Sequence, residues 1–382
     1  MKQFGSKLLT SVSLAACIGF ASAGTQADLR FALGYPQGSI PALSAEVWAE
    51  TFEAESGGNA SAQVYPLSLL NLMETSAGLR DGMADVGIII MSYFINEFPS
   101  AHMVTELTML LEKEELKGPH GAIFSGAVME YVMLNCPQCA DEFKKQNQVF
   151  LGSGTTSPLP LMCNKSATRL DQMEGLRLRG GGAQHARWAQ HVGATSVQMS
   201  VNEVYDALDQ GVVDCTIQTA TELTVFRLME VVSHITTGTP GGGYGGSALS
   251  NMNRDRWISL PEAQRTAALK AGAAMAADAI WAYYLSNEEN LAEAKERGIQ
   301  VVEADQPLVD ETARFIEADV KNIASHYASR YGLENTEEQI TTFRGILDRW
   351  LDLIEGVDGK EELQQLYWDE IFSKVDVSSY GL

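Results

Sequence analysis

Two arginines, Arg177 and Arg179, sit in a run of alternating apolar and charged residues, Gly175-Leu-Arg-Leu-Arg179. A guanidinium stays charged at any working pH. Its planar fork matches both oxygens of a carboxylate or two oxygens of a phosphate. The alternation reads as a strand with both arginines on one face and Leu176 and Leu178 on the other. Gly180 to Gly182 end that strand and let the backbone turn sharply. An arginine at the mouth of a strand suits recognition of an anion. The plainer reading is a surface arginine paired with a neighbouring acid.

Other residue sets are weighed against this one. Cys136-Pro-Gln-Cys139 has the spacing of a redox pair. A thioredoxin-like enzyme would carry the pair at a helix start soon after its first strand. Here it follows a helical segment, far into the chain, so a structural disulfide fits an oxidising compartment better. A four-cysteine zinc site would need a second close pair, which Cys163 and Cys215 do not make. The six histidines show no metal or triad spacing, and no paired carboxylates stand out. Nothing asks for catalysis or for a cofactor. The glycine-rich run Gly238 to Gly246 lacks the Lys-Ser/Thr of a phosphate-binding loop and reads as a hinge. The net charge of −22 disfavours nucleic acid and anionic membrane as partners. An anionic ligand would need a local positive site within that repulsive field.

The surrounding pattern supplies the elements that must hold such a site. A strand over 28–34 leads into a loop with Tyr35, then an amphipathic helix over 41–56 with Leu43, Val47, Trp48 and Phe52 on one side. A strand over 60–65 and a helix over 73–81 precede a buried strand over 84–92. Ile88 and Ile89 read as core, while Ile90, Met91 and Tyr93 could form an apolar wall. Met103, Met109, Met129 and Met133 read as core at helical spacing. Strands at 148–152 and 159–164 flank a first crossing between two lobes. Past the arginines come a helix over 183–191, a second capped by Ser200 or Asn202, and a strand over 212–217. A helical stretch over 219–229 and a strand over 231–237 lead to the glycine-rich return. The helix opened by Pro261 and running towards Arg297 would be roughly 50 Å long, enough to brace both lobes. A strand over 298–303 and helices over 308–331 and 336–373 complete the chain.

The N-terminus has a basic start (Lys2, Lys7), an apolar stretch from Leu8 to Phe20, and small residues at Ala21-Ser22-Ala23 or Thr25-Gln26-Ala27. This is the pattern of a cleaved export signal, too short for a membrane anchor. Leu14-Ala-Ala-Cys17 has the form of a lipobox, which gives a second reading with a lipid-anchored Cys17. Apolar sequence continuing past Cys17 argues for cleavage.

Gly-Leu-Arg-Leu-Arg179 is followed by Gly193-Ala-Thr-Ser-Val-Gln-Met199, then Glu203-Val-Tyr-Asp-Ala-Leu208 and Gly211-Val-Val-Asp214. Taken in order, these resemble the signature of the DctP-type solute-binding proteins of tripartite ATP-independent periplasmic (TRAP) transporters. The resemblance implies an α/β, two-lobed periplasmic-binding-protein fold (type II-like) with mixed sheets, hinge strands and a bracing helix. Residues 28–152 and 244–285 would form the first lobe, and 153–243 and 286–382 the second with the C-terminal helices, after a signal peptide at 1–27. It also implies a periplasmic, non-enzymatic, monomeric receptor. Such a receptor hands a small organic acid to a small and a large membrane permease subunit.

In the family the second arginine ion-pairs with the ligand carboxylate, which falls on Arg179. Gln218 stands where relatives carry a ligand asparagine. Trp188, Tyr35, Ile90 and Met91 would shape the apolar part of the site, with Tyr244 touching ligand. Leu159 stands where some relatives place a second arginine. The single arginine and apolar wall favour an aromatic or other monocarboxylate, with a C4-dicarboxylate as the alternative. Two further readings are an exported thiol-disulfide oxidoreductase using Cys136 and Cys139, and a receptor presenting its ligand to a sensor kinase.

Overall fold

The structure is a computed structural model that describes residues 27–113 and 119–382. The export signal and Cys17 lie outside the described residues. Strands alternate with helices until the chain has built two mixed sheets. In chain order the strands are Ala27–Leu33 (β1), Ala60–Pro66 (β2), Val86–Ile90 (β3), Gln148–Val149 (β4), Ser153–Gly154 (β5) and Pro160–Cys163 (β6). Then follow Arg177–Gly180 (β7), Thr195–Val197 (β8), Cys215–Ile217 (β9), His234–Pro240 (β10), Ser247–Asn253 (β11) and Gln300–Glu303 (β12). The first sheet runs β2-β1-β3-β11-β4, with β5 also on β11, and the second runs β12-β10-β6-β9-β7-β8. In each, parallel strands from βαβ units meet antiparallel strands contributed by the crossings.

The chain passes from the first sheet to the second after β5 and returns after β10. The two crossing segments lie side by side. Leu159 N–H donates to Gly242 O at 2.9 Å, Gly241 N–H to Leu159 O at 3.2 Å, and Thr156 N–H to Tyr244 O at 3.2 Å. Gly243 is required here, because a Cβ at that position would stand 2.5 Å from the Thr156 carbonyl oxygen. The glycine-rich return is therefore a two-stranded link between lobes.

Helix Glu262–Glu296 braces both lobes. Its first half, through residues between Ala267 and Ile280, packs in the first core with Trp48 and Phe52 of helix Ile40–Glu55, while Ala294 packs in the second lobe with Ile299. At Gly272 it approaches the chain so closely that a Cβ would lie 2.1 Å from the Leu151 carbonyl oxygen. Helix Ile40–Glu55 buries Ala45, Trp48, Ala49 and Phe52, and leaves Leu43 exposed on the opposite side from the expected face.

The C-terminal helices differ from the expected division. A break at Gly356, with φ +87°, splits the anticipated run into Thr336–Leu353 and Lys360–Glu370. Both pack on the first core through Phe343, Leu347, Trp350, Leu363 and Tyr367. Helix Gln306–Tyr331 spans the two. Leu308, Phe315 and Ile316 join the second-lobe core, and Ile323, Ala324 and Tyr327 join the first.

Both cysteine pairs are disulfide-bonded. Cys136 and Cys139 sit at the start of helix Pro137–Lys145, and Cys163 and Cys215 face one another across β6 and β9. Among the described residues, no helix is long and apolar enough to cross a membrane.

Candidate functional site

A cavity opens between the sheets, bounded by both crossing segments and the bracing helix. It encloses about 770 Å³ of atom-free space, mouth included. Its walls are mainly apolar and aromatic, with Ile88, Ile90, Leu159, Val201, Tyr35, Tyr93, Tyr244 and Tyr283 all contributing.

Arg179 provides the positive charge. It lies on β7, between β8 and β9, and is only 3% exposed. Its Nε and Nη2 each donate to the Met199 carbonyl at 3.3 Å, and Nη2 reaches the Tyr93 hydroxyl at 3.5 Å. Among the described residues no carboxylate forms an ion pair with it, so the fork retains capacity for an incoming anion. Arg177, two residues earlier on the same face, is satisfied by protein. Its Nε and Nη2 bond Asp214 at 3.0 Å each, and Lys165 adds a second cation at 2.7 Å. The Arg177 hydrogen bonds and the Lys165 charge hold the Asp214 carboxyl well below the ordinary carboxylate range.

The rest of the lining supplies unmatched polar atoms. Gln218, just beyond β9, accepts from Thr216 Oγ1 at 2.7 Å but leaves its Nε2 without a partner. Thr155 and Thr219 line the same cavity with unpartnered, buried hydroxyls. Glu222 is 7% exposed with a partnerless Oε2, and burial pushes its carboxyl up to about 8 against the pull of Arg179. Unsatisfied buried polar atoms are uncommon in native structures, and a cluster of them in one cavity fits a site completed by ligand.

The lobes touch across this cavity. The Tyr93 hydroxyl accepts from Val201 N–H at 3.1 Å, Ser92 Oγ donates to Gly181 O at 3.2 Å, and the Tyr35 ring lies 6.4 Å from that of Phe226. Tyr244, on the return crossing, bonds Ser92 Oγ at 2.9 Å. Burial raises the hydroxyls of Tyr35, Tyr244 and Tyr283 well above their ordinary values, so all three stay neutral.

Of the residues singled out in the sequence, the fold brings Arg179, Gln218, Tyr35, Ile90 and Tyr244 around this one cavity. Two stand elsewhere. Trp188 is fully buried in the second core and donates from Nε1 to Thr312 Oγ1 at 2.9 Å on helix Gln306–Tyr331. Met91 is fully buried in the first core. Met91 lies past the end of β3, in the turn Met91–Tyr93, and goes into the first core; on the strand itself Ile88 and Ile90 share the cavity face while Ile89 is turned from it. The same parity places Ile88 on the wall rather than wholly in the core. Period 2 through β3 would have found it. Glu222 and Thr155 carried no sequence signal, because neither belongs to a motif.

The fold and its cleft define a two-lobed, periplasmic-binding-protein type of receptor. Residues 31–328 match the family model of bacterial extracellular solute-binding protein family 7, DctP, and the chain belongs to that family. These proteins are extracytoplasmic solute-binding receptors of TRAP transporters and work with membrane permease subunits; they are not enzymes. A solute-binding protein of Albidiferax ferrireducens is 24% identical over 67% of this chain and 73% of its own. The C4-dicarboxylate-binding periplasmic protein DctP of Rhodobacter capsulatus is 28% identical over 55% of this chain and about half (54%) of its own.

Among solved structures, a marine metagenome TRAP solute-binding protein specific for aromatic acids, in complex with 3-hydroxybenzoate, superposes with a TM-score of 0.72. Its identity to this chain is 21%, over 85% of this chain and 99% of the other. A TRAP solute-binding protein from Rhodoferax ferrireducens, in complex with benzoate, gives 0.71 at 19% identity over 86% and 99%. At these identities the likeness establishes the fold. The relatives lend the oxidoreductase reading no support. Cys136 and Cys139 are moreover 3% and 0% exposed, which denies an incoming thiolate access.

Proposed function

We propose that the protein captures a small organic acid in the periplasm and delivers it to the membrane subunits of a TRAP transporter for uptake. Arg179 grips the ligand carboxylate with its fork, Gln218 donates from Nε2, and Tyr35, Ile88, Ile90 and Tyr244 enclose the body. The observation that carries this reading is a nearly inaccessible arginine in a cavity, without a protein carboxylate to pair with. One arginine within mainly apolar walls favours a monocarboxylate with an aromatic or other ring. A dicarboxylate would set its second charge in a lining that, among the described residues, holds no second cation. The aromatic acids named for two structural relatives support the same choice. Residues 1–27 direct export and are removed, and the mature monomer closes its lobes on the ligand by flexing the paired crossings.

A thermal-shift screen of organic acids, followed by isothermal titration of the hits, tests the reading. Leaving a buried charge pair one-sided costs about 3–5 kcal/mol, so Arg179→Ala should weaken binding by about two to four decades. Binding within threefold of wild type would refute the assignment.

A further inference from the structure

Glu222 stands about one helical turn past Gln218, at the start of the short helix Glu222–Val225. It is the single carboxyl among the cavity's lining residues, and its Oε2 is buried without a partner. Leaving such an atom unmatched costs free energy that a ligand group can recover. The carboxylate end of a ligand is already served by Arg179, so the group that meets Glu222 belongs to another part of the ligand. We propose that Glu222 is a specificity-determining residue, selecting carboxylates that carry a second, uncharged hydrogen-bonding group, such as a ring hydroxyl or amide, over plain ones. This rests on the Arg179 reading above.

The chemistry follows from the protonation state. A protonated carboxyl donates from one oxygen and accepts at the other, so it can serve a hydroxyl or an amide. An ionised one would set a negative charge in the cavity that receives an anion. Burial keeps the proton on up to a pH of about 8, although Arg179 pulls the other way. The groups that face it are Arg179 from β7, Tyr35 from the loop after β1 and Tyr283 from the bracing helix. Tyr93 and Tyr244 complete the polar lining, and no lysine or histidine lines the cavity among the described residues.

Isothermal titration with two matched pairs decides the matter: 3-hydroxybenzoate against benzoate, and pyroglutamate against cyclopentanecarboxylate. Wild type at pH 7 should bind the substituted acid of at least one pair about tenfold or more tightly, roughly one good hydrogen bond. Glu222→Leu should reduce that preference below about threefold, chiefly by weakening the substituted acid. Glu222→Gln, which can also donate and accept, should keep the preference. Between pH 7 and 9 wild-type affinity should fall as Glu222 ionises, and the glutamine variant should stay flat.

A preference that survives Glu222→Leu, a proportionate loss for both acids, or identical pH profiles would overturn the inference. The Arg179 reading would survive any of these if Arg179→Ala still weakened both acids. If no acid of either pair binds wild type, or if Arg179→Ala binds as wild type does, both readings fall together.

Discussion

Arg177 and Arg179 share a charge, a strand and a face, and differ in what surrounds them. At the exposed edge Arg177 finds Asp214, the outcome that an acidic surface favours. Arg179 lies deeper, where the neighbouring oxygens are a carbonyl and a phenol. Alternation showed that both arginines point the same way; only the three-dimensional packing separates the paired one from the available one. Glu222 makes a further prediction at this scale. Its folded-state value, about 8, lies above the ordinary 4.5. The unliganded protein's stability from this group is therefore fully present below about pH 4.5 and is lost as pH rises through about 8. Denaturant melts should show Glu222→Gln gaining on wild type over that interval. A constant difference would rule out the burial cause. Glu222 was not legible in the sequence because a lone acid near a helix start ordinarily marks a solvated turn.

At the scale of elements, one cation ties three helices. Arg187, on Ala183–His191, pairs with Glu106 at 2.7 Å and with both oxygens of Asp319 at 2.7 Å each. Burial alone would raise the Glu106 carboxyl. The His102 hydrogen bond and the Arg187 charge outweigh it and hold the carboxyl down at about 2. Arg187→Ala leaves two acids uncompensated and should cost about 3–5 kcal/mol by urea denaturation. A loss below about 1 kcal/mol would place the pair among inconsequential surface contacts.

Helix positions were readable where apolar residues recur at helical spacing, as in the bracing helix, and strand positions where residues alternate. The packing partner of the last two helices was not. Helical spacing over 336–373 does not say which core the buried face meets; the structure puts Trp350 and Tyr367 on the first. Trp188 misled for the same reason, since an aromatic on an amphipathic helix marks a buried face and not a ligand wall.

For the whole molecule, charge sets kinetics. A net −22 repels an organic anion until it reaches the cleft, so added salt should speed capture. Stopped-flow association of an anionic ligand should accelerate with ionic strength between about 0.01 and 0.15 M, as the screening length shrinks from about 30 to 8 Å. A rate that falls with salt would mean that the field local to Arg179 dominates encounter.

Helix Gln306–Tyr331 begins in one core and ends in the other, so it acts as a tether parallel to the paired crossings. A door hung on two hinges alone swings wide; one also held by a stiff stay opens only as far as the stay bends. On the proposed closing motion, the angular range of the empty receptor would thus be set at a distance from the cavity, by side chains that never meet the solute. Sequence changes along that rod would retune how long a captured molecule is kept without altering a single contact to it.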